Sequence, residues 1–411
     1  MSSDVMKEYK YSLFKVFGVE LEYMMVDRET LDILPAVDTL FKEIAGEITS
    51  EIEGDVLSLN NELALHVVEL KTTTPVPALS GLSEEFQRKI RELNKLLSAM
   101  GGCLMPTAMH PWMDPHKETK LWPHGSSEIY NAFNAIFNCK GHGWGNLQSA
   151  HLNLPFKSEE EFVKLHSAIR IVLPLIPLIA ASSPYADGHK TGLKDTRLNV
   201  YLSNCKRIFS VTGHAIPESC ASYEDYERKI LGRIYEDLSP FDPEGVLRHE
   251  WVNARGAITR FERGSIEIRL VDIQEEPRQD MAILDFLSRL TKFLSDKGRQ
   301  AIDLFNSFEE ERLKGILLRG IQSGEDALIE DREYLSLFGL QRSASGNEII
   351  RHIVDNLIGP SKDYKEAMDI LVQEGTLATR LLKNEAKNHA QLKEKYKKLC
   401  RCLDRGEPYL P

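Results

Sequence analysis

Two glutamates one residue apart in an apolar run, GVELEY at 18–23, are the first residues whose spacing suggests chemistry. In a strand, alternate side chains share a face, so Glu20 and Glu22 stand side by side with Val19, Leu21 and Tyr23 opposite. Neighbouring carboxylates repel unless a cation lies between them or solvent screens them. Alone, the motif fits an exposed strand better than a metal site. A second segment, SIEIRLV (265–271), sets Glu267 and Arg269 on one face against Ile266, Ile268 and Leu270. Such a pair is either a surface contact of little worth or a metal ligand beside a phosphate-binding arginine. The planar guanidinium fork suits two-point contact with phosphate.

A third run, ELALHVVE (62–69), carries Glu62 and Glu69 at opposite parity, so a regular strand cannot show both on one face without a bend or bulge. His66 shares parity with Glu62 and reads as a core histidine. In SAHLNL (149–154), His151 shares a polar face with Ser149 and Asn153 and is a candidate to join the acids. The chain has no GxxxxGK[ST], and GHGWG (141–145) is not a GxGxxG following a strand. A bound nucleotide must therefore be held through metal ions and arginines. A carboxylate-rich set suits magnesium, and one histidine admits manganese.

The elements that must position these residues are mostly strands. Strands are expected over 15–26, 61–72 and 147–156, and two short ones within 253–273 joined at Arg263-Gly264. Residues 80–100 form an amphipathic helix with Leu82, Phe86, Ile90, Leu93 and Leu97 as its stripe, stopped by Gly101-Gly102. A further helix starts after Ser158, with Glu161 at the capping-box position. From about 280 onward the pattern is almost entirely helical. The fold class is α+β: an antiparallel-sheet domain with inserted helices over 1–285, and a helical region packed on it over 286–411. The basic tail, 382–406, reads as a solvated packing helix.

Composition narrows the partners. A net charge of −11 repels nucleic acid and anionic lipid. The N-terminus, MSSDVMKEYKYSLF, has no apolar core of a secretory signal. The longest apolar stretch, 171–183, is too short to span a bilayer, contains two prolines and is expected to be buried. Six cysteines without a CxxC fit reduced thiols in a cytoplasmic protein. A homodimer is the base-rate expectation for assembly.

Taken in order, FGVELEY (17–23), NELALHVVELKTTTPVP (61–77), MHPW (109–112), LQSAHLNLPF (147–156), IAASSPYADGHKTGLKDTR (179–197) and NARGAITRFERGSIEIRLVDIQE (253–275) resemble glutamate–cysteine ligase family 2. This is the carboxylate–amine ligase family, distantly related in fold to glutamine synthetase. No one of these motifs is specific; the ordered set, spanning roughly 14–280, is. The resemblance implies a curved antiparallel sheet whose strands grip metal ions. By position, Glu22, Glu62 and Glu69 match one metal site, and Glu20, His151 and Glu267 a second. Arg269 matches the arginine on the transferred phosphate. His110, Gln148 and Arg197 fall in stretches near the substrate. Arg255, Arg260 and Arg263 are either further phosphate contacts or surface and hairpin residues.

The implied activity joins an amino-acid carboxylate, the γ-carboxylate of glutamate in the family's name, to an amine such as cysteine. ATP and Mg2+ drive it through an acyl phosphate. A metal-dependent amide hydrolase without ATP is the main rival, but it calls for more histidines and an HExxH that this chain lacks. A binding protein that has lost turnover is the other.

Overall fold

A computed structural model of the chain describes residues 8–411. The first seven residues of the N-terminal segment discussed above lie outside the described residues.

The centre is one eight-stranded antiparallel sheet. Its strands are β1 (Gly18–Asp27), β2 (Glu51–Ile52), β3 (Leu57–Asn61), β4 (Val67–Thr72), β5 (Gly102–Met105) and β6 (Ser149–Pro155). After a separate small hairpin of β7 (Tyr185–Ala186) and β8 (His189–Lys190), β9 (Ala257–Arg260) and β10 (Ser265–Asp272) complete it. The spatial order is β2-β3-β4-β1-β6-β10-β9, with β5 paired to the far end of β1. Strand β1 therefore lies between β4 and β6, which lets its two glutamates meet residues from both sides.

Alternation does what the sequence reading requires of it in β1. Val19, Leu21 and Tyr23 are fully buried on one face, together with Leu152, Leu154, Ile266 and Ile268 from β6 and β10. The helices Leu82–Ala99, Glu159–Val172 and Pro277–Ser295 cover that face with Phe86, Ile90, Phe162, Ile169 and Leu287. Burying each such side chain contributes on the order of 1.5–3 kcal/mol. The opposite face carries the acids.

Two details differ from the expectation. The stretch 61–72 is two strands, because Glu62–His66 form the connection between β3 and β4. Glu161 does not close a capping box: its carboxylate accepts from the backbone amides of Lys157 and Leu13, while Ser158 caps the helix alone. The Pro277–Ser295 helix runs through position 285, and a single apolar cluster extends from Val19 to Leu403. The prolines of 171–183 fall at the starts of short helical turns, where a missing amide costs nothing, and the segment is buried.

The remaining elements are mostly helical apart from a two-residue pair, β11 (Leu328–Ile329) with β12 (Ala344–Ser345). Among the described residues no helix is long and apolar enough to cross a membrane. All six cysteines are free.

A carboxylate-lined cavity on the sheet

The strand register assembles the acids. Glu22 lies directly opposite Glu69 across β1–β4, and Glu20 lies between Lys71 of β4 and His151 of β6. Glu267 of β10 faces Asn153 of β6. Residues opposed in an antiparallel pair project to the same side. The parity puzzle of Glu62 also resolves, because it belongs to the β3–β4 connection and is free of the strand alternation.

Together they line a cavity of about 340 Å3. Its acidic wall comprises Glu20, Glu22, Glu62, Glu69 and Glu267 with His151; its cations are Lys71, Arg197, Arg260, Arg263 and Arg269. Trp144, Leu147 and Tyr201 form a less polar side. A second chamber of about 400 Å3 shares Glu20, Lys71 and Arg263 with the first.

Two triads of donor atoms lie within 4.8 Å of one another: Glu22, Glu62 and Glu69, and Glu20, Glu69 and His151. In the second, Glu69 stands where the resemblance put Glu267. The Glu267 carboxylate instead accepts from Arg269 Nη2 at 2.5 Å and from Arg260 Nη1 at 3.3 Å, and it lies 3.9 Å from His151 Nδ1.

A hydrogen-bonded chain runs across the sheet. His151 Nδ1 meets Glu20 Oε2 at 2.8 Å, His151 Nε2 meets Ser149 Oγ at 2.8 Å, and the Ser149 hydroxyl donates to Glu22 Oε2 at 3.0 Å. The Ser149 amide donates to the same oxygen at 2.7 Å. Asn153 Nδ2 donates to Glu20 Oε1 at 3.0 Å.

The electrostatics divide the acids. Burial opposes ionisation of Glu20, but the hydrogen bond and charge of His151, with Arg263 and Arg269, hold it down at about 2. Burial likewise opposes protonation of His151, and Glu20, Glu22 and Glu267 overcome it and raise its pKa. At Glu62 the charge of His151 is outweighed. Burial, and then the charge of Glu22, push it up to about 8. Glu69 is pushed well above the carboxylate range by burial and by Glu20 and Glu62. Oxygen donors held this close, with protons retained through burial and mutual repulsion, fit a hard divalent cation.

Arg197 lies at the cavity edge, fully buried, and donates from Nε to Asp272 Oδ1 at 2.5 Å while Nη2 has no partner. A register shift between Ile268 and Val271 places Asp272 opposite Ser149, on the site face. Without that bulge, Asp272 would point away from Arg197.

Three residues proposed from sequence lie outside the cavity lining. Arg255 donates two hydrogen bonds to Glu218, at 2.6 and 2.7 Å, and one to the Ser210 carbonyl, so it pins a loop rather than facing the acids. His110 is held between the Leu31 carbonyl and the Met113 amide. Gln148 is fully buried and immediately precedes β6. His66 is a core residue, with burial pushing its pKa down to about 3.

Sequence reasoning missed Lys71, Asp272, Trp144 and Tyr201, and it placed Ser149 on the polar face without giving it a role. Lys71 was findable, because it shares parity with Glu69.

An antiparallel sheet with a buried row of acids and arginines on one face accords with a carboxylate–amine ligase. The family model for glutamate–cysteine ligase family 2 matches residues 16–336, and the chain belongs to that family. An uncharacterised protein of Archaeoglobus fulgidus is 32% identical over 397 residues, covering 96% of this chain and 100% of that one. The glutamate–cysteine ligase of Halobacterium salinarum is 23% identical, covering 80% of this chain and 85% of its own. Among solved structures, a glutamate–cysteine ligase from Francisella tularensis in complex with AMP superposes with a TM-score of 0.55 at 11% identity. It covers 97% of this chain and 90% of that one, a likeness of fold.

Proposed function

We propose that the protein uses ATP to join an amino-acid carboxylate to an amine, with the γ-carboxylate of glutamate as the acid and cysteine as the amine. The observation that carries this reading is the convergence of Glu20, Glu22, Glu62, Glu69 and His151 into two overlapping donor triads, beside arginines, in one cavity. Those acids would hold Mg2+ or Mn2+, which when bound offsets charge on phosphoryl oxygens. A hydrolase without ATP has no need of the accompanying arginines.

The chain's own groups have distinct tasks in this reaction. Arg269 is anchored by Glu267 and keeps its Nε free of protein partners, so it can meet the phosphoryl group as charge develops. Arg263 faces both chambers and can neutralise phosphates passing between them. The unpartnered Nη2 of Arg197, held by Asp272, suits a substrate carboxylate. Transfer of the γ-phosphoryl group to the acid gives an acyl phosphate, which the amine attacks with release of phosphate. Positioning and electrostatics supply the catalysis, and no cysteine or serine nucleophile takes part.

The test is phosphate release from ATP with magnesium over a panel of amino acids, offered singly and in pairs. Release that requires glutamate together with cysteine supports the reading and names the substrates. Release with another pair keeps the ligase and replaces the substrates. No release with any pair, combined with no magnesium-dependent ATP binding by calorimetry, overturns it.

A further inference from the structure

The helix His389–Arg405 packs on β5 at a distance from the acidic cavity, and a separate cavity of about 500 Å3 opens along their seam. Two thiols line it. Cys103 is partly exposed on β5, opposite Val26 of β1, and Cys400 is buried on the helix; both belong to the same packed cluster. Both face this cavity where the helix meets β5, close enough that each shifts the other's protonation.

The cavity is basic in a chain whose net charge is −11. Arg28, Arg91, Lys95, Lys397 and Arg401 line it, against Glu29 and Asp404. Among the described residues Arg28, Arg91, Lys95 and Arg401 have no carboxylate partner: Arg28 donates to Ser98 Oγ and Arg91 to the carbonyls of Asp404 and Arg405. Asp404 is turned toward Asn94, and Lys397 is 3.8 Å from Glu394. The cavity therefore offers positive charge to a small anion, with a thiol pair in its wall.

We propose that Cys103 is a covalent modification site for small anionic disulfides gathered by these cations, and that Cys400 resolves the adduct into a Cys103–Cys400 disulfide. The Cys103 thiolate attacks one sulfur of the reagent; its S–S bond breaks, one thiolate leaves and a mixed disulfide forms. Cys400 then gives up its proton and attacks the Cys103 sulfur, expelling the second thiolate. Two electrons pass from the protein dithiol to the reagent, which leaves as two thiols. The neighbouring Cys400 thiol, and the charge of Arg28, hold the Cys103 thiol below its usual range, while Cys400 is pushed up, so the attacking and resolving roles are ordered. The remaining thiols are buried, with burial raising Cys402 to about 11 and Cys205 and Cys220 to about 12. The bridge would fasten the C-terminal helix to β5, beside β1.

The experiment compares the rate of thiol release from two reagents acting on the native chain: the dianion dithiobis(nitrobenzoate) and the dication cystamine. The expected result is a fast phase with the anionic reagent, two thiols released per chain, and a Cys103–Cys400 peptide on mapping. Cys400→Ser should release one and retain the adduct on Cys103. Cys103→Ser should lose the fast phase. Lys95→Glu with Arg401→Glu should slow the anionic reagent by ~10-fold or more and not slow cystamine. A fast phase that persists in Cys103→Ser, or cystamine reacting as fast as the anion with the native chain, overturns the proposal. Circular dichroism of each variant confirms that the comparison is between folded proteins.

Discussion

Two buried charge clusters in this molecule are built on opposite terms. Near the C-terminus, Glu275 and Arg380 are fully buried and grip each other by both guanidinium nitrogens. Arg380 also donates to the carbonyls of Tyr409 and Gly375, and Glu275 accepts from the Tyr409 amide. That cluster is complete within the chain. The cavity on the sheet is not: burial and neighbouring acids outweigh the pull of His151 on Glu62 and of Lys71 on Glu69, so both pKa values are raised, and Arg197 and Arg269 keep unpartnered nitrogens. A buried charge answered in full by its own chain serves the fold. One left unanswered stores an interaction for a ligand.

The largest effect that can test this contrast is at the complete cluster. Arg380→Ala leaves the buried Glu275 without its cation and should cost roughly 3–5 kcal/mol in a denaturant titration, since breaking one side of a buried pair is far worse than replacing both. The double variant Glu275→Gln, Arg380→Met should lose less; equal losses would show that the pair's charges are not what matters.

Arg269→Ala should behave in the opposite way. Turnover should fall by about 10²–10³, the scale for loss of one transition-state donor, with ATP affinity changed far less. The melting temperature should fall less than in Arg380→Ala, because Arg260 still answers the Glu267 carboxylate. A change confined to KM would make Arg269 a ground-state binding residue.

Ser149→Ala removes the hydroxyl that orients Glu22 and meets His151. It should weaken manganese binding by about 10–100-fold in calorimetry, the usual scale for a group that orients a metal ligand, with Ser149→Thr restoring most of it. Unchanged affinity in Ser149→Ala would mean that the backbone amide alone positions Glu22.

The smallest effect concerns pH. Folding raises the Glu62 pKa from 4.5 to about 8, so the metal-free fold binds this proton more tightly than the unfolded chain. Its contribution to stability is present below about pH 4.5 and is lost as pH rises through about 8. Between about pH 6 and pH 8.5 without divalent cations, the wild type should lose a few degrees of melting temperature relative to Glu62→Gln. Excess magnesium should abolish the gap, because the cation takes the proton's place.

Much of this was legible in the residues. Alternation alone placed Glu20 and Glu22 together on β1, and Val19, Leu21 and Tyr23 in the core, because a strand has a period of two whatever surrounds it. The hairpin at Arg263-Gly264 was equally local: Gly264 has φ +66, a turn conformation that glycine adopts readily. Glu62 was misread as a strand residue because nothing in ELALHVVE announces the connection that frees it. Asp272 was invisible because a bulge reversed its face, and bulges depend on what the partner strand does. Arg255 looked like its neighbours Arg260 and Arg263, and only the position of Glu218, 37 residues away in sequence, set it apart.

The sequence by itself determined which residues alternate, where the helices begin and stop, and which family the ordered motifs resemble, since each depends on neighbours a few positions apart. The tertiary structure alone decided which acids share a donor triad, which arginines are already occupied, and that Cys103 meets Cys400. Those are contacts between segments tens to hundreds of residues apart, fixed by strand order and register, and their electrostatics follow from burial that no local pattern encodes.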